Sequence, residues 1–306
     1  MSAASFSLDK TFGAAFVGFA VSSLCLGVLS MQTYNYFRTF PLDKTYYKVM
    51  VSAVWALEFA DQALIAHAVY TYVVTNWGDK LILIKPPVWS LVIQITLGVV
   101  TGTVVKLNYA MRVWRFSKMN IPVTGLIVLL TVGELGVACV YTYQGLILDS
   151  LLDIGKMKMI GTLSLGLGVG TDVAIAASLC WFLGGLRTGH RQDDSMVNNL
   201  ILGSLSTGLL TSLISLVTLI LYNFMPDNFI FMGMYFVLSK VYANSFLAAL
   251  NTRRVSRGRG TDNDRTTVPT FLMVGKTTQR SIHIDPEQAT HSPISPADSH
   301  NYAQRW

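Results

Sequence analysis

The chain has 306 residues, 52% of them hydrophobic and only 13% charged, with a formal net charge of +6. A soluble domain carries about 25% charged residues, so this composition points away from a soluble globular fold and toward a membrane protein. Nucleic-acid binding is not expected either, because the excess positive charge crowds at Arg253, Arg254, Arg257 and Arg259 behind an otherwise apolar chain.

Seven apolar runs follow one another: Phe12–Phe37, Val49–Val74, Pro87–Ala110, Pro122–Gly145, Met159–Leu183, Val197–Tyr222 and Asn228–Leu250. Each exceeds the ~20 residues a spanning helix needs. The connections are short and leave no room for an extramembrane domain before Asn251. The expected fold is an all-α integral membrane protein, a seven-transmembrane-helix bundle over residues 1–252, with a disordered cytosolic tail over 253–306. The start of the chain lacks the basic segment and short apolar segment of a cleaved signal peptide, so the first run reads as a retained helix.

Orientation follows from the cations near the run ends. Arg38, Lys44, Lys48, Arg112, Arg115, Lys118, Arg187, Arg191 and the four tail arginines fall on one side, against Lys10, Lys80, Lys85, Lys156 and Lys158 on the other. The N-terminus is therefore expected outside and the C-terminus in the cytosol, with a plasma-membrane location. Trp77, Trp89, Trp114, Tyr143, Trp181 and Tyr222 stand at run ends, where aromatic side chains anchor helices at the membrane surface. Cys25, Cys139 and Cys180 all lie within apolar runs and give no disulfide framework.

On the sixth run Ser204, Gly208, Thr211, Ser215 and Thr218 form a seam of small residues, and the fifth carries Gly166, Gly168 and Gly170. Small residues let helices approach closely in lipid, so both segments are expected in the bundle interior, with a homo-oligomer face as the alternative. In the tail, Arg253-Arg254-Val255-Ser256 has the form of a basophilic kinase site, and Ser292-Pro293 and Ser295-Pro296 of proline-directed sites. The arginines would attract anionic lipid headgroups by ~1 kcal/mol each, and a phosphate on Ser256 would oppose this.

The polar residues inside the runs are the most informative. Lys240 lies near the middle of the last run, where a lysine costs ~2.5–3.5 kcal/mol on insertion scales. Asp61, Glu134 and Asp172 fall at the same depth, with Glu58 about one turn toward the cytosol. Lys240 is expected to pair with one or two of these carboxylates, the rest remaining neutral. Lys106, near the end of its run, is expected to snorkel to the interface. Glu58, Asp61 and Gln62 share a helix face, His67 lies opposite Glu58, and Asn244 and Asn251 extend a polar stripe from Lys240. Glu58, Asp61, His67, Glu134, Asp172, Lys240 and Asn244 are the candidate polar core, lining a midplane cavity for a small or lipid-borne ligand. The plainer reading is hydrogen-bonding glue between helices.

The segments His67–Asn76, Met111–Lys118, Arg187-Thr188-Gly189 and Leu238–Asn251 carry a resemblance to an uncharacterised family of multi-pass membrane proteins from mushroom-forming fungi, catalogued as a domain of unknown function. The resemblance spans about Leu8 to Arg254 and implies a fungal integral membrane protein, but it brings no ligand or functional residue. Better-known seven-helix families fit less well. A G-protein-coupled receptor would show Asp/Glu-Arg-Tyr after helix 3, where the chain reads Met111-Arg112-Val113-Trp114. A retinal protein would place an acid four residues before the lysine of helix 7, where Phe236 stands.

No His-Glu-x-x-His, Gly-x-Ser-x-Gly or phosphate loop occurs, so neither an enzyme, a cofactor nor a metal is expected. The expected function is receptor-like or sensory, with membrane lipids as partners; a transporter or proton-coupled carrier, or a scaffold without ligand, are the alternatives.

Overall fold

A stretch of more than twenty Leu, Val, Ile, Ala and Gly residues satisfies its backbone polar groups without water only as a helix. The computed structural model describes residues 12–77, 82, 84–117, 119–184, 191–225 and 228–252; for residues 152, 183 and 191–207 it covers the backbone alone. Seven long helices run through these residues: α1 Phe12–Thr39, α2 Thr45–Tyr70, α3 Trp89–Phe116, α4 Ile121–Leu146, α5 Lys158–Gly184, α6 Arg191–Phe224 and α7 Ile230–Asn251. A π-helical turn, Thr71–Thr75, continues α2, and a 3₁₀ segment, Leu151–Met157, precedes α5. All described residues fall in one compact unit, Met1–Gly260; the second unit, Thr261–Trp306, lies wholly outside them.

Six helices, α1, α2 with its π turn, α3, α4, α5 and α7, are long and apolar enough to cross a membrane. In α6 the apolar stretch among the described residues is Gly208–Phe224. Several helices outrun their apolar runs where charged residues begin. α3 continues past Ala110 through Arg112 and Arg115 to Phe116, and α2 starts at Thr45, ahead of Lys48. Helix propagation tolerates exposed Arg and Lys, so a hydropathy count stops before the helix does. At α4 the Asn120 side chain accepts a hydrogen bond from the Val123 amide, and Pro122 sits in the first turn, where its missing N–H leaves nothing unpaired. The tight turn before it puts Met119 at φ 67°, a left-handed conformation that glycine adopts without strain.

Consecutive helices pack side by side and α1 closes on α7, making a ring; α3 also packs on α5 and α7 and occupies the inside. Burial follows this arrangement, with 72% of an 18-residue apolar stretch of α7 buried against 22% in α1 and α4. The closing contact is a backbone crossing. A Cβ on Gly18 would fall onto the Gly233 backbone, and one on Gly233 would lie 2.7 Å from the Ala14 carbonyl oxygen. Outer faces are apolar, as at Phe16, Leu24 and Met31 on α1 and Leu126, Leu129 and Val132 on α4. Trp77, Trp89, Tyr143 and Trp181 are exposed near helix ends and Trp114 is half-buried, whereas Tyr222 is buried and takes no part in an aromatic belt.

The apolar core comes in two halves. One gathers Leu29, Val54, Val113, Ile127, Leu179 and Phe246, and the other Ile65, Leu91, Tyr141, Met157, Tyr222 and Phe236, at opposite ends of the helices. Between them lies a belt of buried polar residues that includes Glu58, Asp61, Lys106, Asp172, Ser215 and Lys240.

Candidate functional site

The belt holds two charged centres, set on opposite sides of α7. Lys240 and Tyr242 are two residues apart, about 200° around a helix, so Lys240 turns to α2 while Tyr242 faces α3, α5 and α6. In the first centre the Lys240 ammonium lies 2.9 Å from Glu58 Oε2 and binds Asp61 Oδ2. The Ser239 hydroxyl also reaches those two oxygens, at 3.3 Å each. Glu58 and Asp61 meet one cation because i and i+3 stand on one helix face. The Lys240, Glu58 and Asp61 side chains are 0%, 0% and 1% exposed, so this ion cluster is sealed.

In the second centre Lys106 bonds Glu134 Oε2 at 2.6 Å and lies 3.7 Å from Asp172 Oδ1. The Tyr242 hydroxyl donates to Asp172 Oδ2, and the Lys106 ammonium sits 5.0 Å from the centre of the Tyr242 ring. Gly168 makes room here, since a Cβ on it would stand 2.9 Å from Glu134 Oε1. Beside this centre a cavity of about 20 Å³, lined by Tyr109, Thr211, Tyr242 and Ser245, has room for about one water.

These positions correct several expectations. Lys106 does not snorkel; it is 2% exposed and neutralises α4 and α5. Lys240 takes both partners from α2, leaving Glu134 and Asp172 to Lys106. Asn244 faces α1, where its amide donates to the Cys25 carbonyl and accepts from Gln32, and Asn251 donates to the Gln32 carbonyl, so this stripe ties α7 to α1. His67 is exposed; its Nδ1 lies 2.8 Å from Ser90 Oγ and its ring 5.3 Å from that of Trp89, away from both centres. On α6, Thr211, Ser215 and Thr218 are buried and Gly208 packs on Ala176, whereas the Ser204 side chain lies outside the described residues. On α5, Gly168 is buried against Glu134, whereas a Cβ on half-buried Gly166 or exposed Gly170 would meet nothing within 4 Å. The tail residues Arg253, Arg254, Ser256, Arg257, Arg259, Ser292 and Ser295 lie outside the described residues.

The polar midplane therefore closes on itself, and a larger cavity lies elsewhere. It measures about 80 Å³ and sits toward the end of the bundle where α3, α5 and α7 begin. α3 contributes Leu91 and Gln94 to its wall, α4 Tyr141, α5 Ser164, α6 Tyr222 and α7 Tyr235. Leu151 and Met157 of the 3₁₀ segment also line it, and the Leu151 amide is pinned to the Lys85 carbonyl at 3.0 Å. Among the described residues, none that lines it is charged. Tyr235 donates to the Ile95 carbonyl at 3.1 Å and stands one turn before Ser239. A Cβ on Gly98 would lie 4.0 Å from its hydroxyl and 3.4 Å from the Ser239 Cβ, so one patch of α3 abuts both the cavity wall and the Lys240 centre. No pattern in the sequence marks this cavity, since its lining is drawn from five helices and is mostly apolar.

The arrangement defines an all-helical bundle with a double ion-paired belt and an uncharged cavity above it. Residues 168–255 match a family of unknown function, DUF6534. The match takes in Asp172, Lys240 and Tyr242 and two of the four segments that carried the resemblance, Arg187-Thr188-Gly189 and Leu238–Asn251. No curated protein and no solved structure matches the chain.

Proposed function

We propose that the chain is a receptor-like integral membrane protein with seven spans, its N-terminus outside and its tail in the cytosol of a fungal plasma membrane. It senses a small molecule and carries out no catalysis. The apolar outer faces and the cation asymmetry support the membrane placement and orientation. The observation that carries the sensory reading is the uncharged cavity reaching Tyr235, because the next turn of α7 bears Ser239 and Lys240. An occupant that displaces Tyr235 loads α7 against the α2 carboxylates, and α7 leads directly toward the segment bearing Ser256. Partners in this reading are membrane lipids, with Arg253, Arg254, Arg257 and Arg259 at the headgroups, and a second copy of the chain across the face at Gly166 and Gly170.

The test uses cells expressing the full chain, exposed to a panel of small neutral compounds, with phosphorylation at Ser256, Ser292 and Ser295 read by mass spectrometry. A compound-dependent change, abolished in Tyr235→Ala and without solute or proton flux in proteoliposomes, is expected. Flux that disappears in Asp172→Asn or Lys240→Met would replace this reading with a proton-coupled carrier. The two lysine–diacid centres favour that second reading. The continuous α3, α5 and α7 weigh against it, since carriers commonly unwind helices at midplane.

A further inference from the structure

The wall of the about 80 Å³ cavity specifies what it can hold. Burying an ion there would cost several kcal/mol without a countercharge, and among the described residues no Asp, Glu, Lys, Arg or His lines it. The occupant is therefore uncharged. Leu91, Val92, Leu165 and Phe231 make most of the surface apolar, so water gains too few partners to fill the space well. The polar atoms are few and mostly committed. Tyr235 donates to the Ile95 carbonyl and Thr218 to the Ile214 carbonyl. The Tyr222 hydroxyl is different, because it is buried and interacts with the Tyr141 hydroxyl alone, and two hydroxyls that share one hydrogen bond leave one O–H of the pair without an acceptor. Gly161 lets it stand there, since a Cβ on that residue would come within 2.6 Å of the hydroxyl oxygen.

Size narrows the class further. The cavity is about half the ~150 Å³ of an engineered dry core cavity that takes up benzene or xenon. Met157 and Met232, unbranched and adaptable, form part of its wall and allow a modest expansion.

We infer that this cavity is a binding site for a small neutral amphiphile, a short aliphatic body with one hydroxyl or carbonyl oxygen that hydrogen-bonds to Tyr222. The inference rests on the reading of the cavity as a ligand site, but its test measures occupancy apart from signalling or transport. An aliphatic chain could come from a free molecule or from a lipid tail, and the spare O–H of the Tyr141–Tyr222 pair, which an acyl tail cannot satisfy, favours the free molecule.

The experiment photolabels the purified full chain in lipid nanodiscs with three diazirine probes: a short primary alcohol, the alkane of equal length and a phospholipid labelled in its acyl chain. Labelled residues are mapped by mass spectrometry. The alcohol is expected to label Tyr222, Met157 and Met232, to be competed by excess unlabelled alcohol, and to exceed the alkane by about five-fold, the worth of one neutral hydrogen bond. In Tyr222→Phe, which keeps the ring, that preference should vanish while alkane labelling persists. Ser164→Phe should abolish labelling by both, with an unchanged melting temperature showing that the bundle is intact. Labelling confined to outward-facing positions, labelling that competitor does not reduce, or cavity labelling by the phospholipid alone would each overturn the inference. So would an alcohol preference that survives in Tyr222→Phe.

Discussion

Replacing Lys240 by methionine tests the first charged centre directly. Methionine nearly matches lysine in length and is apolar, so packing at a site with 0% exposure is conserved while the ammonium is lost. Glu58 and Asp61, 0% and 1% exposed, then share a dry site without a cation. Breaking a buried pair in this way costs ~3–5 kcal/mol, chiefly because the abandoned charges stay buried. For a chain of this size each kcal/mol moves the melting temperature by roughly 2–4 °C, so Lys240→Met should lower it by roughly 6–20 °C. Neutralising the acids as well, in Lys240→Met/Glu58→Gln/Asp61→Asn, removes the uncompensated charge and should recover more than half of that loss. Thermal unfolding in one fixed detergent, followed by tryptophan fluorescence, measures both variants. A single variant that melts within about 1 °C of the parent, or a triple variant no better than the single, would refute the claim that the three groups form one interdependent cluster.

Gly18→Ala should destabilise by ~1–3 kcal/mol, because its Cβ meets Gly233 backbone rather than a movable side chain, whereas Gly27→Ala on the same helix meets nothing and should be neutral or better; thermal unfolding compares them. Tyr242→Phe removes the donor to Asp172 and should cost ~1–3 kcal/mol in the same assay. Met119→Gly relieves a left-handed residue and should raise stability by ~1 kcal/mol. Cysteine tags placed before α1 and after α7 should react with an impermeant maleimide on opposite sides of sealed vesicles in the seven-span arrangement proposed above; labelling on the same side refutes that span count.

The seven helices were legible because each apolar run exceeds membrane thickness, and the observed ends differ from the runs mainly where charged residues extend them. That same extension explains the misplacing of Lys106. Its run stops at Ala110, which puts the lysine near an apparent end, but α3 continues to Phe116 and leaves Lys106 well inside. Depth for Lys240, Asp61, Glu134 and Asp172 could be read by counting from run midpoints. Partner choice could not, because a count along the axis carries no information about which way each helix is turned in the ring. The Gly18–Gly233 crossing was equally hidden, since two lone glycines on helices at opposite ends of the chain make no motif. Tyr222 was read as a surface anchor from its position at a run end, and only the fold shows it turned inward against α4.

The pairing of Lys240 with α2 also joins groups from nearly opposite ends of the bundle's sequence. Glu58 and Asp61 leave the ribosome some 180 residues before their counterion, since Lys240 bonds Asp61 across |i−j| = 179. Through the making of α3, α4, α5 and α6 these acids wait without a cation, while Lys106 is answered sooner by Glu134 and Asp172. A helix centred on a lysine partitions poorly into lipid by itself. The last helix closes the ring between α6 and α1, and with it Glu58 and Asp61 meet their cation. A chain truncated before α7 would leave Glu58 and Asp61 without the cation that neutralises them.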